Sequence, residues 1–164
     1  MEIERKFLIE DITSLDLTKY KHKEIIQDYL YIDLFSVIRK RKIVQDDKVQ
    51  YKYTIKTGKK GISVNEIERD LLKEEYEKLL INKNYKTLIK ERYIIPYLED
   101  LKIELDIFKG EYEGIVFAEI EFKDEKQAYN TKLPKWFGKD ISNIITNSEM
   151  CFLDKEKVKK KIKD

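Results

Sequence analysis

One cysteine, Cys151, and one histidine, His22, are all that 164 residues offer of the two side chains most used in nucleophilic and transition-metal sites. A lone cysteine excludes an intrachain disulfide framework and fits a reducing compartment. No basic partner motif stands beside Cys151, so it is expected to be a small buried residue and not a nucleophile. His22 lies in the charged stretch KYKHKE and is expected at the surface. No run approaches the ~18 apolar residues of a membrane-spanning helix. The chain start lacks the apolar core of a secretory leader, so a cytoplasmic protein without membrane contact is expected. Charge of one sign is not in excess either. The 34 basic and 32 acidic residues nearly cancel to +2, unlike a dedicated nucleic-acid binder. Low-complexity runs, repeats and linkers are missing, so residues 1–164 are expected to form one domain.

What is present is charge. Asp, Glu, Lys and Arg make up 40% of the chain, against about 25% in an average globular protein. Apolar residues recur along the whole length, so this charge belongs to folded structure. Eight segments read as strands, at roughly 2–9, 25–34, 36–44, 49–57, 62–69, 87–95, 101–109 and 115–123. Turns are read at Asp46-Asp47, from Gly58 to Gly61, and at Lys109-Gly110-Glu111. Two helices are predicted. One is LLKEEYEKLL, capped by Asp70, with Leu72, Tyr76, Leu79 and Leu80 on one stripe; the other is the tail after Asp154, with Val158 and Ile162 four apart. Residues 134–150 are expected to hold turns and a short helix.

Period two puts alternate side chains on one face of a strand. Glu2, Glu4 and Lys6 share such a face in the opening MEIERKFLIE. The pattern recurs as Arg39/Arg41, Lys52/Thr54/Lys56, Glu66/Glu68, Lys90/Arg92, Glu104/Asp106 and Glu119/Glu121. The remaining strand offers Gln27, Tyr29, Tyr31 and Asp33. Two arrangements satisfy this. The charged faces can be the wet outside of a sandwich or small barrel. Alternatively they line the interior of a closed eight-stranded barrel, with the apolar faces outside under helices. Same-sign pairs repel, and their segregation favours a ligand that carries both signs. A polyphosphate with a divalent cation is such a ligand, since Arg and Lys bind phosphate while carboxylates bind Mg²⁺ or Mn²⁺.

These elements, in order, resemble the CYTH superfamily, the triphosphate tunnel metalloenzymes. E-x-E-x-K is met at Glu2 to Lys6, Q-x-Y-L at Gln27 to Leu30, and R-x-R at Arg39 and Arg41. Then follow Lys56 of YTIK, E-x-E at Glu66 and Glu68, K-x-R-Y at Lys90 to Tyr93, E-x-D-x-F at Glu104 to Phe108, A-E-x-E at Ala118 to Glu121, and P-x-W-x-G at Pro134 to Gly138. The resemblance implies an α+β fold: an eight-stranded antiparallel closed barrel, or tunnel, with a charged interior and flanking helices. It implies Glu2, Glu4, Glu119 and Glu121 as ligands of Mg²⁺ or Mn²⁺, and Lys6, Arg39, Arg41, Lys56, Lys90 and Arg92 along the triphosphate path. Lys6 and the four carboxylates would be the catalytic set. Glu66, Glu68, Glu104, Asp106 and Tyr29 are supporting residues, and Trp136 is expected to pack outside the barrel. The small-molecule substrate implied is tripolyphosphate, cleaved to phosphate and pyrophosphate by a monomer or homodimer without nucleic acid. Class IV adenylate cyclase, thiamine triphosphatase and a non-catalytic polyphosphate-binding module are the alternatives. Departures are Asp28, where the family often has glycine, and Val64, where it often has arginine.

Overall fold

The computed structural model describes residues 1–58, 63–98 and 100–164. Eight strands follow in chain order: β1 (Glu2–Leu8), β2 (Lys21–Ile32), β3 (Ser36–Gln45), β4 (Lys48–Thr57), β5 (Ser63–Leu71), β6 (Leu88–Tyr97), β7 (Leu101–Lys109) and β8 (Val116–Phe122). They close into a barrel in the order β1-β5-β4-β3-β2-β6-β7-β8, every neighbouring pair antiparallel. Closure removes free edges, so each strand finds ladder partners on both sides. The helices are α1 (Lys73–Lys78), α2 (Glu125–Asn130), α3 (Asn147–Met150) and α4 (Lys155–Lys163). Among the described residues none is long and apolar enough to cross a membrane.

The strand bounds differ from the sequence reading chiefly at β2, which starts at Lys21. Lys21, His22 and Lys23 have no apolar alternation to announce a strand, yet each pairs with β6. The β3–β4 hairpin turns at Asp46 and Asp47, with Gln45 opposite Lys48 and Asp46 at φ 55°. Of the turn read from Gly58 to Gly61, only Gly58 lies within the described residues. The helix capped by Asp70 is corrected: α1 begins at Lys73, and Asp70 stays in β5 with its carboxylate on Lys52. Glu75 reaches back to the Leu72 N–H instead, at 2.9 Å. Leu72 and Leu80 are exposed, so the expected apolar stripe does not face a core. The C-terminal helix does form as read. Asp154 accepts from the Lys157 N–H at 2.9 Å, and Val158 and Ile162 are buried.

Of the two arrangements open to the charged faces, the chain adopts the inward one. The outer apolar faces of β1, β6, β7 and β8 place Phe7, Ile95, Ile103, Leu105 and Ile120 in one buried cluster, covered by Ala128 of α2 and by Trp136 and Phe137. Trp136 packs outside against Phe137, with ring centroids 4.8 Å apart. The covering loop approaches β1 so closely that a Cβ on Gly138 would stand 2.5 Å from the Leu8 carbonyl oxygen. A second cluster fills one end of the barrel itself: Tyr29, Leu88, Phe108 and Phe117 meet Ile145, Met150 and Cys151 of the C-terminal segment. The interior therefore changes from charged to apolar along the barrel axis.

Candidate active site

A cavity of about 680 Å³ runs through the charged part of the barrel. That lies within the range of small-molecule sites, roughly 300–1,000 Å³. One rim is formed by the β2–β3 turn, Asp33 to Ser36, and by residues 145–149. The other carries Lys23, Gln50 and Lys52.

The barrel register separates the charges onto facing walls. β1 and β8 are neighbours, with Glu4 opposite Glu121 and Lys6 opposite Glu119. Glu2, Glu4, Glu119 and Glu121 thus line one wall. β3 lies far around the barrel from that pair and contributes Arg39 and Arg41. Lys56 and Glu66, opposite one another in the β4–β5 pair, reach toward the acidic wall. Lys56 Nζ stands 3.3 Å from Glu2 and 3.6 Å from Glu66.

Positive charge is shared unevenly along the acidic wall. Burial and the neighbouring Glu119 carboxylate push the Glu4 carboxyl well above its ordinary value. Burial, with a hydrogen bond shared with Glu66, lifts Glu2 to about 7. Burial works against ionisation of Glu119 too, but Lys6, Arg92 and Lys90 hold it well below the usual carboxylate range. Lys6 Nζ lies 3.6 Å from Glu119 and donates to Asn147 Oδ1 at 3.2 Å. The basic wall is short of acceptors. Arg39 and Arg41 are buried, and the Nε of each lacks a hydrogen-bond partner. Arg41 has Glu68 at 2.9 Å, whereas among the described residues no carboxylate lies within ion-pair distance of Arg39. A buried guanidinium N–H left unpaired is costly, which points to an anion that completes it.

Arg92 and Lys90 form a different kind of group. Arg92 grips Asp106 through two nitrogens, at 2.7 and 2.9 Å, and Glu104 through a third at 2.9 Å. Lys90 Nζ sits 2.8 Å from Asp106, both side chains 1% exposed. Burial pulls the Lys90 ammonium down to about 8 despite Asp106. Arg92 and Glu104 border the cavity, while Lys90 and Asp106 lie behind them in the wall. Tyr29 also borders the cavity but is 2% exposed, accepting from Gln27 Nε2 at 2.5 Å. His22 is exposed beside Glu91 and stacks on Tyr93. Cys151 is buried against the Ser148 carbonyl, and burial pushes its thiol up to about 12.

Three kinds of cavity residue lie outside the site residues that the sequence nominates. Lys23 continues the inward face of Gln27 and Tyr29, and a strand started four residues earlier would have found it. Lys52 stands on the inward face with Thr54 and Lys56. Thr146, Asn147 and Ser148 come from the C-terminal segment, where no periodic signal marks them.

Among the described residues no three acidic or histidine side chains form a ready-made metal cage. Mg²⁺ does not require one, since it commonly binds one or two carboxylates plus substrate phosphates. An all-oxygen wall on which burial holds Glu2 and Glu4 back from ionising fits a hard divalent cation that relieves the repulsion among its carboxylates.

No protein-family model matches the chain. It is 34% identical over 157 residues to the inorganic triphosphatase of Acetivibrio thermocellus, across 89% of this chain and 94% of that one. It is 27% identical over 141 residues to the inorganic triphosphatase of Nitrosomonas europaea, across 86% and 89%. In fold it matches the crystal structure of the inorganic triphosphatase NE1496, with TM-score 0.64 and 24% identity over 93% of this chain and 95% of that one. The Hippeastrum protein HpAC1, described by a dominant triphosphatase activity, shares the fold at TM-score 0.58 and 14% identity, over 79% and 83%.

Proposed function

We propose a function for a chain that belongs to the family of inorganic triphosphatases, the triphosphate tunnel enzymes: it hydrolyses tripolyphosphate to phosphate and pyrophosphate inside the barrel. The observation that carries this reading is the facing of two incomplete walls in one cavity. Carboxylates that burial keeps from ionising stand across from buried arginines with unpaired N–H groups. A triphosphate with a divalent cation completes both.

Glu2, Glu4, Glu119 and Glu121 would hold Mg²⁺ or Mn²⁺. Bound there, the ion supplies charge neutralisation at the phosphate oxygens and a Lewis acid beside the attacking water. Arg39 and Arg41 bind phosphate oxygens through their planar forks, and Lys56 adds a point charge near Glu2. Arg92, fixed by Asp106 and Glu104, presents a rigid cation on the same path. Lys6, steadied by Asn147 and Glu119, stands where it can meet charge that develops on the leaving oxygen. Water attacks the terminal phosphorus, the bridging P–O bond breaks, and pyrophosphate takes the electron pair. The buried Lys90–Asp106 pair keeps Arg92 aimed rather than touching substrate.

Incubation with tripolyphosphate or ATP, each with Mg²⁺ or Mn²⁺, tests the proposal. Equal amounts of phosphate and pyrophosphate from tripolyphosphate are expected. Cyclic AMP with pyrophosphate from ATP, and no product from tripolyphosphate, would make the chain a cyclase instead.

A further inference from the structure

β1 changes partner partway along its length, and the change falls beside Lys6. On one side β1 pairs with β8 from Ile3 to Leu8. On the other, among the described residues, β5 pairs only with Glu2 and Ile3. Further along, that edge is taken by residues 138–142. Leu8 donates to the Lys139 carbonyl at 2.8 Å and accepts from the Gly138 N–H at 2.9 Å. Phe7 and Asp140 form an antiparallel bridge. The Lys6 carbonyl accepts from the Ile141 N–H at 2.8 Å. The Lys6 N–H goes instead to a side chain, Ser142 Oγ, at 2.9 Å.

That oxygen is itself aimed. The Ser142 hydroxyl donates to Asp140 Oδ1 at 2.6 Å, and the Ser142 N–H donates to the same oxygen at 2.9 Å. Asp140 Oδ2 is gripped by Arg5, through Nε at 3.1 Å and Nη2 at 2.8 Å. Arg5 is the outward neighbour of Lys6, and its Nη1 donates to the Ala128 carbonyl of α2 at 2.8 Å. A chain of hydrogen bonds thus leaves β1 by the Arg5 side chain and returns to it at the Lys6 backbone. The Lys6 ammonium depends on such support. Glu119, at 3.6 Å, supplies charge but lies beyond hydrogen-bond length, and the directional contact comes from Asn147 on the same C-terminal segment. Ser142 borders the cavity, yet its proton is spent on Asp140, and the lone pairs left over do not attract a phosphate oxygen. We propose that Arg5, Asp140 and Ser142 are positioning residues for Lys6: they fix its backbone, and so its ammonium, against the leaving oxygen of the triphosphate. This rests on the triphosphatase reading of the same cavity. A contact with the leaving oxygen strengthens only as charge develops there, so misplacing it costs turnover and not substrate affinity.

The test measures kcat and KM for tripolyphosphate, with Mg²⁺, in the wild-type protein, Ser142→Ala, Ser142→Thr and Asp140→Ala, and repeats Ser142→Ala in a Lys6→Met background. Ser142→Ala is expected to lower kcat about tenfold with KM within about twofold of the wild type, since a small misplacement of a reacting group costs that much or more. Ser142→Thr keeps the hydroxyl and should restore most of kcat. Asp140→Ala leaves the hydroxyl without its acceptor and should share the loss. Residues that act through one group are not additive, so Ser142→Ala should cost nothing further in the Lys6→Met protein. The same fractional loss in that background, or a raised KM with kcat unchanged, would overturn the positioning role and leave the triphosphatase function standing. Wild-type kinetics in both Ser142→Ala and Asp140→Ala would do the same. A wild-type protein that releases no phosphate from tripolyphosphate would instead strike the function, and this inference with it.

Discussion

Glu4 and Arg39 stand on opposite walls of one cavity, and their removal exposes different things. Glu4 is a carboxylate whose ionisation burial and Glu119 oppose. Glu4→Gln is expected to cut turnover at least ~100-fold, the size of effect seen when an electrostatic group of the reaction is lost. The same change should leave the metal-free thermal midpoint unlowered, since it removes a charge the fold does not want. Glu2 gives the pH form of this argument. Its ordinary value is 4.5 and its folded value about 7, so the folded state keeps a proton the unfolded chain has released. Ionisation of Glu2 thus opposes folding, beginning above 4.5 and complete above about 7. The midpoint of the metal-free protein should fall as pH rises through that window. Calorimetry on Glu2→Gln should show a flatter fall, and an identical slope would contradict the assignment. Arg39→Ala breaks no ion pair among the described residues, so KM should rise about tenfold with stability nearly unchanged. Arg92→Ala leaves Asp106 buried beside Lys90 alone. A loss of about 3–5 kcal/mol in denaturant unfolding is expected there, as for other broken buried pairs.

The short helix α1 shows how an element is held that the sequence misplaces. Lys40 lies between Arg39 and Arg41, so period two turns it outward. Its Nζ donates to the Tyr76 and Leu79 carbonyls at 3.0 and 2.7 Å, and sits 4.1 Å from the centre of the Tyr76 ring. An outward lysine thus caps the C-terminal end of α1, where unsatisfied carbonyls favour a cation. Lys40→Ala should speed amide exchange at residues 76–79 without changing exchange in β3 and β4. Equal speeding in those strands would show that Lys40 supports the barrel itself. Strand faces were legible because period two is a local property, and seven strands repeat it with charge. The start of β2 was not legible, because Lys21 to Lys23 gain their strand state from pairing with β6 and not from their own alternation. The expected Asp70 cap failed for a related reason: Asp70 has a ladder partner and a lysine across the strand, both set by tertiary structure.

Across the whole molecule, the barrel interior is divided between chemistry and packing. Charged layers occupy the middle and one rim, while Tyr29, Leu88, Phe108 and Phe117 fill the other end with Ile145 of the C-terminal segment. Ile145→Ala, at 1% exposure, should cost about 2–5 kcal/mol by opening a void where barrel and segment meet. The inward direction of the charge could not be read from alternation alone, since a wet outer face has the same period. The order of motifs carried that information, and the separation into acidic and basic walls needed the register between β1 and β8. Asn147, which steadies Lys6 from 141 residues away, had no local mark at all. The most direct measurement is product release from tripolyphosphate with Mg²⁺ by the wild-type protein, Glu4→Gln and Arg39→Ala side by side. Stoichiometric phosphate and pyrophosphate from the wild type, almost none from Glu4→Gln, and a raised KM in Arg39→Ala are predicted. Wild-type turnover in Glu4→Gln would contradict the facing-wall site.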